Sequence, residues 1–306
     1  MTRRLLRRLL ALVPVALGVA TLTFALIHLV PGDPVTAMLG DYAAPSDINR
    51  MRHDLKLDLP LWRQYCDFLL DLTHGNLGQS ISQHAPVSGL IRERYPATLE
   101  LAGAGLLVAI AIALPLGIIA GADVGGPGDL GAMGFAILGV SVPHLYLGPL
   151  LMIVFSLDLG WLPLTGRGGL AHLVLPAFTM GTALAAILAR MLRQSLVQVI
   201  GADYMRTARS KGLSEHVALI RHGLRNALTP VITLLGLEAG ALLTGSIVTE
   251  MIFSWPGLGR LMMTAINNRD YPLVQGCVLT FALSYVLVNA ITDLVYSAAD
   301  PRIRLG

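Results

Sequence analysis

Long apolar runs alternate with polar stretches along this chain of 306 residues. An α-helix needs about 20 mostly apolar residues to cross the ~30 Å hydrocarbon core of a bilayer, and six runs reach about that length. They extend roughly over residues 9–30, 98–121, 131–156, 171–192, 229–251 and 273–297. The pattern therefore predicts an all-α polytopic membrane protein with six transmembrane helices.

The polar stretches divide the chain into three predicted parts. Residues 1–30 form an N-terminal transmembrane helix, residues 31–97 a polar insert, and residues 98–306 a core with the other five helices. Within the core, residues 193–228 form an unusually long connection, because helix connections in bundles usually have about 2–8 residues. A segment of that length is expected to have a function of its own.

Basic residues predict which side of the membrane each part faces, since loops rich in Lys and Arg stay in the cytoplasm. Four arginines precede the first run, seven basic residues lie from Arg190 to Arg225, and two more lie in the C-terminal tail. Both termini and the segment 193–228 are therefore expected in the cytoplasm, and the insert outside it. The first run is longer than the ~7–15 apolar residues of a signal peptide, so we expect it to be retained.

Composition agrees with a membrane protein and excludes other classes. Hydrophobic residues make up 54% of the chain and charged residues 13%, which is outside the usual balance of soluble domains. A net charge of +3 is too small to indicate nucleic-acid binding. The two cysteines, Cys66 and Cys277, are expected to be unpaired because the second lies within an apolar run.

Small residues recur at every fourth position in three predicted spans. This spacing places them on one helix face, where helix backbones can approach closely in a membrane. We expect these faces to pack against other helices, although Gly and Ala are also common in membrane helices generally. The residues are Ala109, Ala113, Gly117 and Gly121; Gly181, Ala185 and Ala189; and Gly236, Gly240 and Thr244.

The insert is expected to be folded. Pro60 is suited to the first turn of a helix that ends at Gly75. A second short helix is expected from Pro86 to Arg94, with Pro96 as the residue that breaks it.

Catalytic and cofactor-binding motifs are missing from the sequence. The phosphate-binding loop of an ATPase has the pattern G-x-x-x-x-G-K-[ST], and neither Lys56 nor Lys211 stands in such a pattern. Zinc-protease and serine-hydrolase motifs are missing as well. The chain is therefore predicted not to be an enzyme and to hold no cofactor or metal, and His74 and His84 are interpreted as surface residues.

Glu238 lies near the middle of the fifth predicted span. A charged side chain at the bilayer centre costs at least ~2.5–3.5 kcal/mol, so this carboxylate is expected to face the bundle interior or a water-filled path. Two interpretations stay open. Glu238 is either part of a substrate path or proton relay, or a hydrogen-bonded packing residue.

Residues 203–212 read DYMRTARSKG, and the sequence around them predicts two short helices that meet at Gly212. Asp203 is placed to cap the first helix, Gly212 to end it, and Ser214 with Glu215 to begin the second. Polar helices at a membrane face bind either lipid headgroups or a partner protein. The residues alone leave both possibilities open.

The same stretch resembles the cytoplasmic EAA loop of binding-protein-dependent ABC importer permeases. Arg206, Thr207 and Ala208 stand at the EAA positions, and Gly212 stands at the glycine of that loop. The first two residues of the EAA motif, Glu and Ala, are replaced here by Arg and Thr. Such a replacement is typical of the branch of the family that imports dipeptides, oligopeptides, glutathione or nickel. Further stretches match this branch in order: LVPGDP after the first span, HGLRNALTPVIT at 222–233, GSIVTEMIFSWPGLGRL at 245–261 and RDYPLVQ at 269–275.

The resemblance implies a type I importer permease fold in a bacterial or archaeal plasma membrane. It implies four kinds of partner: a second, homologous permease subunit, two cytoplasmic ATPase subunits that carry ATP and Mg, an extracytoplasmic solute-binding protein, and the lipid bilayer. The residues it implies for coupling to the ATPase are Asp203, Tyr204, Arg206, Thr207, Ala208, Arg209 and Gly212.

The implied function is that of a permease subunit that forms half of the translocation path for di- or oligopeptides or glutathione-like peptides. One alternative is the same machinery importing nickel or a metal chelate. A second alternative is a proton-coupled secondary transporter, in which Glu238 would need further titratable groups to form a relay.

Overall fold

The computed structural model describes residues 13–25, 35, 44–54 and 57–299. Within these residues the regular structure is helical, apart from one isolated β-bridge between Gln79 and Pro86. The chain forms two compact units, the first from Met1–Ala97 with Pro256–Val286 and the second from Thr98–Trp255 with Leu287–Gly306. The all-α fold expected from the sequence is confirmed, and the three-part division of the topology stays a prediction.

The helices are numbered here in chain order. They are α1 Val13–Ala25, α2 Pro45–Asp54, α3 Leu61–Thr73, α4 Val87–Ala122, α5 Pro127–Ser141, α6 His144–Leu151, α7 Leu170–Ile200, α8 Asp203–Ser210, α9 Glu215–Ala218, α10 Arg225–Ile252, α11 Leu258–Asn267 and α12 Tyr271–Ala299. Two π-helical stretches, Met152–Asp158 and Leu219–Leu224, continue α6 and α9.

Within the described residues, four helical segments are long and apolar enough to cross a membrane. They are Val87–Ala122, Leu170–Ile200, Leu219–Ile252 and Tyr271–Thr292, and they fall at the second, fourth, fifth and sixth predicted spans. At the first predicted span the structure describes the shorter apolar helix α1, and the rest of that span lies outside the described residues. A total of six spans therefore stays a prediction.

The third predicted span is broken into two helices. α5 ends at Ser141, α6 begins at His144, and the two are bent by 104°. Val142 between them has an extended backbone, with φ −90° and ψ 110°, because the ring of Pro143 disfavours the helical conformation in the residue before it. The apolar run predicted over 131–156 is therefore present as two helices at an angle, and its crossing of the membrane as one span stays a prediction.

The first helix expected in the insert is confirmed. α3 follows Pro60 and ends at Thr73, and the chain then turns through Gly75, which has a positive φ of 70°. Such a backbone conformation favours glycine, so this residue marks the end of the helix. Cys66 on α3 is exposed and unpaired, and the buried Cys277 is unpaired too, as expected.

The second helix expected in the insert begins where the sequence places it but does not end there. α4 starts at Val87 and runs for 36 residues to Ala122, so the predicted end at Arg94 was wrong. Pro96 removes one backbone hydrogen bond from the helix. Membrane helices tolerate such a residue, and here the long apolar run beyond it maintains the helix.

A buried carboxylate joins two segments of the first unit. Asp270 is 1% exposed, and its Oδ2 accepts hydrogen bonds from the hydroxyls of Ser80 and Ser82 at 2.6 and 2.7 Å and from the amide of Ser82 at 3.0 Å. Burial raises the pKa of this carboxyl, but the hydrogen bonds from Ser80 and Ser82 outweigh burial and hold the pKa below its ordinary value. The loop around Ser80 is therefore tied to the residue that precedes α12.

The second unit is packed around α7. A Cβ atom on Gly117 of α4 would stand 2.8 Å from the Cβ atom of Leu192, and one on Gly121 would stand 2.7 Å from that of Leu196. Such separations are too short for carbon atoms, so α4 and α7 approach each other more closely than any residue with a side chain would permit. The face of small residues predicted for the second span therefore packs against another helix of the protein.

The faces of small residues predicted for the fourth and fifth spans also pack against other helices at most of their positions. A Cβ atom on Gly181 would stand 2.7 Å from the carbonyl oxygen of Gly105, so α7 is also close to α4 there. On α10, Gly236 lies against the side chain of Thr292. Thr244 is exposed and does not continue that packed face.

Candidate functional site

Residues 193–228 contain the end of one long helix, a short helix and the start of another long helix. α7 extends to Ile200, beyond the predicted end of its span at residue 192. α8 follows at Asp203–Ser210, and α9 continues through a π-helical stretch directly into α10. The two helices predicted to meet at Gly212 are present, but the second is the beginning of a membrane helix rather than a separate short helix. The segment is therefore attached to a long apolar helix at each end.

The first turn of α8 differs from the expectation. Ala202 occupies the N-cap position, and no side chain there makes a capping hydrogen bond, so the prediction of Asp203 as the cap was wrong. Asp203 is instead the first helical residue, where the helix dipole favours a negative charge. Its carboxylate lies 3.7 Å from Nη1 of Arg206, and both side chains are largely exposed. An exposed pair of this kind contributes little to stability.

The turn after α8 depends on Gly212. This residue has a φ of +83°, which lies in the left-handed region that favours glycine. Its amide donates a hydrogen bond to the carbonyl oxygen of Arg209 at 2.9 Å, and the amide of Leu213 donates to that of Ala208 at 3.4 Å. These bonds satisfy the last carbonyl groups of the helix. The predicted role of Gly212 in ending the helix is confirmed.

One face of α8 is buried in the second unit. Met205 is 1% exposed and Ala208 is 8% exposed, and both pack in a small apolar cluster with Ala218 of α9. Val199 near the end of α7 packs against the same cluster. A spacing of three residues places Met205 and Ala208 on one side of the helix. α8 is therefore anchored between the ends of α7 and α9 by two side chains.

The opposite face of α8 is exposed and polar. The Tyr204 side chain is 42% exposed, and its hydroxyl accepts a hydrogen bond from Nδ2 of Asn226 at 3.1 Å. Thr207 is exposed, and its hydroxyl donates to the carbonyl oxygen of Asp203 within the same helix. Arg209 lies beside Met205 on the half-buried side of the helix, and its Nη2 donates to the Glu215 carboxylate at 2.9 Å across the turn between α8 and α9. This face offers both charges and hydrogen-bonding groups to a partner.

A cleft of about 310 Å³ lies beneath the same helices. Its walls are mainly apolar, with the Arg209 and Glu215 pair as the polar groups in the lining. The lining residues are Ala122, Ile200, Met205, Arg209, Glu215 and Leu219. α8 is therefore not fully packed against the helices behind it.

Two acidic residues on α10 have different surroundings. Glu238 is half-buried, and its carboxylate has no hydrogen bond or ion pair within the described part of the chain. Glu250 is fully buried and accepts hydrogen bonds from the hydroxyls of Thr98 at 2.7 Å and Ser246 at 3.1 Å. The sequence interpretation singled out Glu238 and missed Glu250. The spacing of four residues between Ser246 and Glu250 is the one local signal that indicated a satisfied carboxylate.

These features define the class of the protein: an all-helical membrane subunit that exposes a short polar helix between two long apolar ones. Two family models match the sequence. "Binding-protein-dependent transport system inner membrane component" matches residues 113–305, and the N-terminal model of the same transport systems matches residues 1–102. The chain belongs to this family, and it is a permease of an ABC importer. As a transport subunit it is not an enzyme.

Relatives of high identity extend over nearly the whole chain. The glutathione transport system permease protein GsiC of Pectobacterium atrosepticum is 44% identical over 299 residues, 98% of each chain. GsiC of Salmonella choleraesuis is 43% identical and GsiC of Escherichia coli strain K12 is 41% identical, each over 304 residues and 99% of each chain. The similarity includes the segment 193–228.

Solved structures of two transporters share the fold. An amino acid ABC transporter crystallised with histidines has a TM-score of 0.54 at 16% identity, over 71% of this chain and 95% of the other. The MetNI methionine ABC transporter in an inward-facing conformation has a TM-score of 0.56 at 17% identity, over 69% of this chain and 96% of the other. The likeness at this identity concerns the fold alone, and it agrees with the type I importer architecture.

Proposed function

We propose that this chain is one permease subunit of an ATP-driven importer of glutathione or short peptides of similar size. The observation that carries the proposal is the identity of 44% to a glutathione transport permease over 98% of both chains. The chain would form half of the translocation path, and a second, homologous permease subunit would form the other half. The subunits would lie in the bacterial inner membrane with both termini in the cytoplasm.

The exposed face of α8 is the proposed contact with the ATPase. Tyr204, Arg206 and Thr207 present hydrogen-bonding and charged groups there, and Asp203 and Arg209 flank them. Ala208 has a different role, since it is buried and anchors the helix. Gly212 sets the direction in which the chain leaves α8. Such a helix can be moved by a partner without breaking an extensive apolar interface.

Energy would come from other chains. The sequence lacks a phosphate-binding loop, so ATP and Mg would be bound by two cytoplasmic ATPase subunits. Closure of these subunits would move α8, and with it the attached ends of α7 and α10. A soluble binding protein would deliver the substrate to the other side of the membrane. Alternate opening of the path toward each side then moves the substrate inward.

Reconstitution of the importer in liposomes tests the proposed function. We expect glutathione uptake to require ATP and the binding protein, and to be unaffected by a protonophore. Uptake that persists without ATP and collapses with a protonophore would favour proton coupling through Glu238 instead. Uptake of nickel or a nickel chelate in place of glutathione would keep the ATP-driven mechanism and change the substrate.

Crosslinking tests the proposed contact of α8. With Cys66 replaced by serine, a cysteine at Arg206 is expected to crosslink to the ATPase subunit, because this position is exposed. A cysteine at Leu170, which is exposed at the far end of α7, is the matched control and should not crosslink. Protection of the Arg206 position by anionic lipid, without any crosslink to the ATPase, would favour the lipid-binding interpretation of this helix.

A further inference from the structure

An ion pair joins the start of α5 to the end of α7. Nη2 of Arg193 donates to Oδ2 of Asp129 at 2.6 Å, and Nε of Arg193 donates to Oδ1. The amide of Gly125, in the turn between α4 and α5, donates to the same Oδ2 at 2.8 Å. The Asp129 side chain is 5% exposed and the Arg193 side chain 27% exposed. A bidentate pair of this kind fixes the geometry of both partners.

The pair is one part of a tight junction between three helices. Arg193 lies on α7 between Leu192 and Leu196, the two residues that pack directly on the glycines of α4. Gly121 on α4 precedes the turn that leads to Asp129. The last turns of α4, the first turn of α5 and the last turns of α7 are therefore held together by close backbone packing on one side and by the ion pair on the other.

α8 rests on the same end of α7. Met205 packs with Val199, which lies six residues, or about two turns, after Arg193 on the same helix. A displacement of α8 would therefore act on the last turns of α7 through Val199, and on α9 through Ala218. Packed helices shift as units rather than deform continuously. The movement therefore reaches other helices only if they are firmly attached to the last turns of α7.

We propose that Asp129 and Arg193 are positioning residues of the transport cycle, which pass the movement of α8 from α7 to the turn between α4 and α5. The inference rests on the proposed function, because it needs an ATPase that moves α8. With the ion pair intact, ATP hydrolysis moves all three helices together. Without it, α8 and α7 move while the start of α5 lags behind.

The ratio of substrate transported to ATP hydrolysed tests this inference in the reconstituted full complex. In Asp129→Asn the ratio is expected to fall by about fivefold or more, the lower end of the range for coupling between distant sites. ATP hydrolysis per complex should continue. Because both rates refer to the same assembled complexes, the ratio does not depend on how much of the variant folds. A role in folding alone would lower both rates in proportion and leave the ratio unchanged, which would overturn the proposal.

Two further variants define the outcomes. Arg193→Lys keeps the charge but lacks the planar fork for a bidentate pair, so a smaller fall in the ratio is expected. If the complex with Asp129→Asn does not assemble, Arg193→Lys serves as the test. A wild-type ratio of transport to hydrolysis in Arg193→Lys would then overturn the proposal. Asp129→Asn combined with Arg193→Gln should resemble Asp129→Asn alone, since both remove the same contact.

A matched control uses another ion pair of the second unit. Nε of Arg167 donates to Glu100 at 2.8 Å, and these side chains are 41% and 40% exposed. Arg167→Gln removes an ion pair that is more exposed and lies away from the junction, and it is expected to keep the wild-type ratio. A fall as large as that of Asp129→Asn would show that the ratio responds to any lost ion pair. Failure of the wild-type complex to transport with ATP would instead count against the proposed function itself.

Discussion

Two regions of the second unit are built in opposite ways. At the α4–α7 interface, Gly117 and Gly121 leave no room for even a methyl group between the helices. α8 is held by two buried side chains, Met205 and Ala208; Arg209 is half-buried beside them, and the other residues of the helix are exposed. The first region has many close contacts along two long helices, whereas the second has a small apolar anchor.

The difference indicates what each region can do. A densely packed interface resists deformation and moves as a body. A short helix with a small anchor has a local stability below that of the core, and elements that move are drawn from this low-stability class. The α4–α7 interface therefore suits a rigid transmitter of motion, and α8 suits the point at which motion enters.

The largest effect is expected from the turn that ends α8. Gly212→Pro should abolish uptake while the amount of chain in the membrane is unchanged. Proline fixes φ near −65°, whereas Gly212 has +83°, and proline also lacks the amide that donates to Arg209. Uptake assays on membrane vesicles, with the chain detected by antibody, measure both quantities.

The matched control for this change is Gly201→Ala, at a glycine with a φ of −78°. Alanine adopts that conformation readily, so uptake is expected to be retained. Normal uptake in Gly212→Pro would show that the segment 193–228 does not couple the ATPase to transport.

The anchor of α8 gives the next largest effect. Met205→Ala removes a buried side chain and is expected to lower the local free energy of unfolding by about 2 kcal/mol. Amide hydrogen exchange in residues 203–210 should then be faster by about 30-fold. Arg206→Ala, on the exposed face, is the control and should leave exchange nearly unchanged. Equal protection in both variants would mean that α8 is held by something other than its apolar face.

A smaller loss is expected at the α4–α7 interface. Gly117→Ala places a Cβ atom 2.8 Å from Leu192, so the helices must separate. Overpacking costs about 1–3 kcal/mol, and the better helix propensity of alanine offsets about 1 kcal/mol of that. Thermal unfolding of the purified protein measures the difference. Gly103→Ala, at a position with open space around it, should be neutral or stabilising. Two equally stable variants would contradict the close packing.

The smallest effect is expected from the exposed face of α8. Tyr204→Phe removes the hydroxyl that accepts a hydrogen bond from Asn226, and an exposed bond of this kind contributes about 1 kcal/mol or less. Because this hydroxyl lies on the face proposed to contact the ATPase, we expect the uptake rate, measured with saturating ATP, to fall by about fivefold or less. A loss as complete as in Gly212→Pro would show that this one hydroxyl is essential to the contact.

Much of the fold could be predicted from the sequence because bilayer thickness fixes the length of a membrane helix. The position of Gly212 was predictable as well, since a glycine between two helical patterns indicates a turn. The break at Pro143 was missed because counting apolar residues gives little weight to one proline. The predicted N-cap of α8 was one residue too late, because the choice between Ala202 and Asp203 depends on backbone geometry.

The polar contacts of the site were less accessible to prediction. Asp129 and Arg193 are 64 positions apart, and Glu250 and Thr98 are 152 apart. Local periodicity contains no information about such pairs, which meet only after the helices have packed. A sequence pattern indicates that a charge within a span needs a partner, but the fold identifies the partner.

The break in the third predicted span has a consequence for its surroundings. Where a helix stops and another begins, amides of the new first turn and carbonyls of the old last turn lack partners within the helix. Hydrocarbon cannot hydrogen-bond to these groups, so such a break is tolerated only against protein or water. The backbone amides and carbonyls around Val142 and Pro143 are therefore expected to face protein or water rather than lipid tails.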